Sequence, residues 1–140
     1  MKKIFFSLCF MCFLSACGSL GHKFDGLQKP EANEALIYYY RPSKIIGSAI
    51  SYDVKENGNK VTTLYNGGYY PHKTTAGQKL ITAKTEVAEQ ISFPVEEGQT
   101  YFVRGKVNMG VLAGHPSLKL VPQDKALKEI QNCKIIEENN

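Results

Sequence analysis

The stretch ISYDVKENGNKVTTLY, residues 50–65, decides the fold class. Ile50, Tyr52 and Val54 alternate with Ser51, Asp53 and Lys55, the period-two pattern of a half-buried strand. Asn57-Gly58 follows, a pair that tolerates the positive φ angles of a type I′ turn, so a hairpin is predicted into residues 60–65. Upstream, ALIYYYR at 35–41 is apolar on both faces, as expected of a central strand covered on each side, and Pro42 ends it. Downstream, Asn66-Gly67-Gly68 makes a reversal into a strand at 68–73, and Ala76-Gly77 turns into another at 80–86. Ile91, Phe93 and Val95 form an inward row with Ser92 and Glu96 outward. Glu97-Gly98 then turns into residues 100–107, and the strands on either side of that turn are expected to be antiparallel neighbours. A loop spaced by Gly105, Gly110 and Gly114 leads to a last strand at 117–121.

Turn chemistry at intervals of about ten residues is the rhythm of an all-β domain, and the fold class is read as a mainly β, antiparallel β-sandwich of about seven or eight strands. At Asp124 the pattern changes. DKALKEIQNC places Ala126, Leu127, Ile130 and Cys133 on one helical face, so one short C-terminal helix is expected at about 124–133, with Asp124 as its cap. Cys133 then reads as a small buried hydrophobe, and residues 137–140 as a frayed tail.

The chain of 140 residues suits one domain. Its formal charge of +4 falls to +2 when Lys2 and Lys3 are removed with the N-terminal segment, and the remaining lysines are scattered. No nucleic-acid partner is expected from so weak a charge.

Met1-Lys2-Lys3 is a positive n-region, and residues 4–14 (IFFSLCFMCFL) give roughly eleven largely apolar residues, the length of a signal-peptide core and about half of a membrane span. Leu14-Ser15-Ala16-Cys17 then resembles the lipobox of bacterial lipoproteins. The resemblance implies cleavage between Ala16 and Cys17 and a covalent diacylglycerol on Cys17, which anchors the protein to a membrane. An ordinary secretory signal cut after Ala16 is the alternative. Gly18 in place of an aspartate favours, by the same resemblance, the outer membrane facing the periplasm. The organisation expected is a signal peptide at 1–16, a lipidated cysteine with a flexible tether at 17–33, and one domain at 34–136. Residues 18–33 carry three glycines, a proline and no sustained periodicity, hence the tether. Cys9 and Cys12 lie in the removed segment and Cys17 takes the lipid, so no internal disulfide can form with Cys133.

The order of the pieces resembles a family of small bacterial lipoproteins catalogued as domain of unknown function 2846. The elements are the aromatic first strand closed by Arg41-Pro42-Ser43, Gly47-Ser48-Ala49, Asn57-Gly58, Asn66-Gly67-Gly68-Tyr69-Tyr70, Ala76-Gly77, Gly98-Gln99-Thr100-Tyr101 with Arg104, and 118–121 running into 125–130. The middle, 57–107, is also similar to extracellular β modules of the PEGA type. Both resemblances imply a transthyretin-like (prealbumin-like) sandwich with no established reaction.

No catalytic or metal-binding constellation stands out. Ser48, His72, His115 and Asp53 offer the residue types of a serine hydrolase, yet no G-x-S-x-G elbow accompanies them. His22, His72 and His115 are too widely spaced to read as a zinc site, and no cofactor is expected beyond the lipid on Cys17. The unusual feature is eight tyrosines against two arginines. Neighbours on a strand point to opposite sides, so Tyr38, Tyr39 and Tyr40 are not expected to share one core, and Tyr69 and Tyr70 flank a turn. Two readings stand: the tyrosines cover the sheet edges and ends while Arg41 and Arg104 pair with acids, or Arg41, Tyr69, Tyr70 and Arg104 lie on a recognition surface, where tyrosines give rigid contact area and an arginine holds an anionic group. Two functions fit: a non-enzymatic, lipid-anchored module that binds or scaffolds another envelope protein, and a periplasmic binder of glycan or peptidoglycan. A third, an enzyme with an unrecognised site, would be signalled by His72 or His115 buried against carboxylates.

Overall fold

A computed structural model of the chain describes residues 19–110 and 113–138. The segment read as a signal peptide, the expected cleavage and lipidation residues Ala16 and Cys17, Gly18 and the end of the tail lie outside the described residues. Asn57 at φ 48° and Gly58 at φ 86° turn strand β3 (Tyr52–Glu56) into β4 (Asn59–Leu64), the hairpin the sequence predicts. Before it come β1 (Ser19–Lys23) and β2 (Ala35–Tyr40). After it come β5 (Gly68–Thr74), β6 (Gly77–Lys84), β7 (Ala88–Val95), β8 (Thr100–Met109) and β9 (Gly114–Leu120), then helix α1 (Gln123–Ile130) and β10 (Lys134–Glu137).

These form a sandwich of two open sheets, one of six strands in the order β1-β10-β5-β2-β8-β9 and one of four in the order β4-β3-β6-β7. The mainly β fold with a single short C-terminal helix is as read from the sequence. The expectation of wholly antiparallel pairing is corrected: β2 pairs with β8, and β10 with β5, in parallel. The turn at Gly98 explains the first pair. It does not fold β7 back on β8 but carries the chain from the four-stranded sheet to the six-stranded one. Gly98 N donates to Glu34 O at 2.8 Å and Leu36 N to Gln99 O at 3.0 Å, which starts β8 beside the start of β2. A turn residue fixes a reversal, not the sheet in which the chain lands.

β2 is buried throughout, because both its faces are covered. Ile37 and Tyr39 face the inter-sheet core, which they share with Val103 of β8 and with Tyr52, Val54, Leu64 and Ile81 of the other sheet. Leu36, Tyr38 and Tyr40 face a second core with Tyr69, Phe102, Ala126, Ile130 and Cys133, where α1 closes over the sheet. Alternation thus does separate the three tyrosines, but into two cores, not into core and solvent.

The flexible tether expected at 17–33 is also corrected over its described part, from Ser19 on. β1 is hydrogen-bonded to β10 as an edge strand, with Ser19 opposite Glu137 and Lys23 opposite Lys134. Beyond it Phe24 packs edge-on against Tyr38 and Tyr69, and Tyr38 Oη accepts from Gln28 N at 2.8 Å. The helix ends at Ile130, earlier than expected; Asp124 makes no capping hydrogen bond, and Glu137, placed in the frayed tail, closes β10.

Candidate functional site

Pro42 stops β2, and the nine residues that follow before β3 have no strand period, so their course is set by Arg41. Its side chain is buried at 2% exposure. The guanidinium donates to Ile50 O at 2.5 Å, to Gly47 O at 2.8 Å and, more weakly, to Leu64 O at 3.4 Å. It lies 5.7 Å from the centroid of the Tyr52 ring, a cation–π contact. Burial pulls its pKa below the ordinary value, with Tyr52 acting in the other direction. Its planar fork reaches carbonyls from two segments at once, which a point-charge ammonium cannot do. Arg41 is therefore an internal brace and not part of an exposed surface.

The braced loop is fixed elsewhere too. Lys44 N donates to Asn66 Oδ1 at 2.9 Å and Asn66 Nδ2 to Ser43 Oγ at 3.2 Å. Gly47, at φ 77°, passes so close to β8 that a Cβ there would stand 2.9 Å from Val107 Cγ1. At the crest of this ordered loop Ile45 is 94% and Ile46 70% exposed. Fully exposed isoleucines contribute nothing to the core, and each would be worth about 1.5–3 kcal/mol if buried. Met109, the last residue of β8, is 54% exposed, and Val87, between β6 and β7, is 47% exposed. Thr85 Oγ1 donates to Gly114 O at 2.8 Å, and Gly114 borders Ile50, Val107 and Met109, so the three loops share one end of the sandwich.

The other residues singled out in the sequence lie elsewhere. Tyr69 is buried under Phe24 and Tyr38, and Tyr70 is half-buried toward the inter-sheet core. Arg104, 12% exposed, donates through Nη1 to Glu129 Oε1 at 2.8 Å, while Tyr40 Oη donates to Glu129 Oε2 at 2.8 Å. This clamp holds α1 to the sheet. Burial raises the Glu129 carboxyl pKa, but the bonds from Tyr40 and Arg104 outweigh it and hold the group below the usual range. Arg41, Tyr69, Tyr70 and Arg104 therefore form no common surface. Five of the eight tyrosines are buried, and Tyr65, Tyr70 and Tyr101 are half-buried, so no ring stands free as a contact for protein or glycan.

His72 does meet a carboxylate. Glu56 Oε2 on β3 accepts from His72 Nε2 at 3.3 Å and Thr74 Oγ1 at 2.9 Å, both on β5, and lies 4.0 Å from Lys79 Nζ on β6. Burial pushes the Glu56 pKa up, and the two hydrogen bonds with the charges of His72 and Lys79 bring it net below the usual range. Tyr39 Oη and Glu56 Oε1 are buried without partners beside it. The cluster spans both sheets, and the Thr74 hydroxyl donates to Glu56. Its chemistry is that of an electrostatic bridge between the layers. His115 lies on β9, apart from this cluster, and no group of three or more His, Cys, Asp or Glu side chains suited to a metal occurs among the described residues.

Ile45 and Ile46 are the site residues that sequence reading missed, and a signal was present. An apolar doublet stands between Pro42-Ser43 and Gly47-Ser48, where turn chemistry predicts polar residues.

A family model described as protein of unknown function (DUF2846) matches residues 31–116, from just before β2 into β9 and including all three loops of the apolar end. No curated protein and no solved structure matches the chain. The chain belongs to the DUF2846 family.

Proposed function

We propose that the protein is a lipid-anchored, non-enzymatic module of the bacterial envelope that binds or scaffolds another envelope protein. The observation that carries this reading is the braced loop. Arg41, Asn66 and Gly47 hold in place a segment whose crest, Ile45 and Ile46, is turned to solvent. Contiguous exposed apolar side chains on an ordered element are the usual mark of a contact site. Anchoring rests on the lipobox ending in Cys17, with Gly18 favouring the outer membrane facing the periplasm.

The test is crosslinking in intact cells followed by membrane extraction and mass spectrometry, with Cys17→Ser as the unlipidated control. A discrete protein partner, reduced in the control together with loss of lipid from the protein, is the expected result. Crosslinks that reach only abundant bystanders in both forms would overturn the scaffold reading.

A further inference from the structure

The side chains that β2 turns toward the other sheet are those of Ala35, Ile37 and Tyr39, and the Tyr39 hydroxyl is their one polar group. It is buried and has no hydrogen-bond partner among the described residues. Burial first, and the Glu56 charge after it, push the phenol pKa up, so the group keeps its proton and stays a donor. Glu56 Oε1 is likewise buried and unpartnered. Lys79 is 6% exposed, and its Nζ stands 4.0 Å from Glu56 Oε2, too far for a hydrogen bond. A hydroxyl, a carboxylate oxygen and an ammonium thus meet in the interior without bonding one another. Buried polar groups left in that state are rare and costly, and an ordered water is the usual remedy. A charged pair held more than about 3.5 Å apart carries the same signal.

We infer that Tyr39 Oη, Glu56 Oε1 and Lys79 Nζ form a binding site for one buried water molecule, which ties β2 to the four-stranded sheet. Charge selects the ligand. A cation there would face Lys79 and His72, and an anion would face the Glu56 carboxylate. A neutral molecule with two donors and two acceptors suits all three groups: it accepts from Lys79 and Tyr39 and donates to Glu56, about the three bonds that a buried water usually makes. Size points the same way, because Ile37, Val54 and Ile81 are wholly buried in the same core and offer a larger polar ligand nothing to bond. Glu56 Oε2 already accepts from His72 and Thr74 of β5. With the water on Oε1, one carboxylate joins β3 to two strands of the facing sheet, to β5 directly and to β2 through the water. The His72 side chain, at 25% exposure, is the most open part of the cluster, so the water exchanges with solvent past it. The site is independent of the lipid anchor and of any protein partner.

The test is a high-resolution crystal structure of the full chain, joined to water-exchange measurements by nuclear magnetic resonance in solution. The crystal should show one peak about 2.6–3.2 Å from both Tyr39 Oη and Glu56 Oε1. A direct hydrogen bond between those two atoms, no density between them, or an anomalous peak there after a soak in rubidium chloride would each overturn the inference. In solution a long-lived water should give cross-peaks to the Tyr39 ring protons, and their absence would overturn it as well. Tyr39→Phe keeps the ring and removes one of the three bonds, so the water should exchange about tenfold faster. Exchange at the wild-type rate in that variant would place the water elsewhere and sink the site.

Discussion

Replacing Arg41 by lysine keeps the charge and most of the length, yet it should act as a severe core substitution. The guanidinium serves Ile50 O and Gly47 O through different nitrogens, at 2.5 and 2.8 Å, with Leu64 O a weaker third at 3.4 Å. An ammonium at one point can keep one strong bond. Losing a hydrogen bond from a charged donor costs about 1.5–3 kcal/mol, and the carbonyl left behind, in a region where the side chain is 2% exposed, adds a share of its desolvation penalty. A loss of about 2–4 kcal/mol follows, a fall in melting temperature on the order of 10 °C for a domain of this size. Thermal denaturation of Arg41→Lys measures the loss. Amide hydrogen exchange should show faster opening at Ser48 and Ile50, whose N–H groups close turns on Ile45 O and Gly47 O. If the melting temperature is unchanged while partner binding falls, Arg41 is a contact residue after all and the brace is wrong.

Gly47→Ala should lose about 1–3 kcal/mol in denaturant titrations, because φ 77° is costly for alanine and Val107 leaves no room for a Cβ; wild-type stability would mean that the loop is free to move. The carboxyls of Glu56 and Glu129 are held below the usual range, so the stability they contribute is present in full above that range and lost as pH falls through their lowered values. Acid unfolding should therefore be shallower in Glu56→Gln and Glu129→Gln than in the wild type, and equal slopes would refute both pairings. Burial pushes the Cys133 thiol up to about 11, so a thiol reagent at pH 8 should label it only after unfolding, as followed by intact mass.

The legible parts of the fold were those written in neighbouring residues. Asn57-Gly58 carries its own turn, the alternation around Tyr52 and Val54 its own face, and Ala126, Leu127 and Ile130 their own helical side. What was not legible depended on distant partners. SLGHK at β1 is too short and too polar to announce a strand, and becomes one because β10 offers an edge. The parallel pairing of β2 with β8 arises from a chain crossing at Gly98 that looks, locally, like any hairpin turn. Arg41 was placed on the surface because its residue type is usually there; its three acceptors come from residues 47, 50 and 64, which no local pattern links. Tyr69 was misjudged for a related reason, since a ring beside a turn is exposed unless another segment covers it, and Phe24 does.

The pairing of β1 with β10 also sets an order of events. Ser19 and Glu137 are 118 positions apart, so β1 is synthesised long before the strand it pairs with. Until residues 134–137 have been delivered, residues 19–23 remain an extended chain with open amides and carbonyls. Any factor that handles the N-terminal region meets an unstructured substrate, and completion of the C-terminal strand is the event that withdraws it.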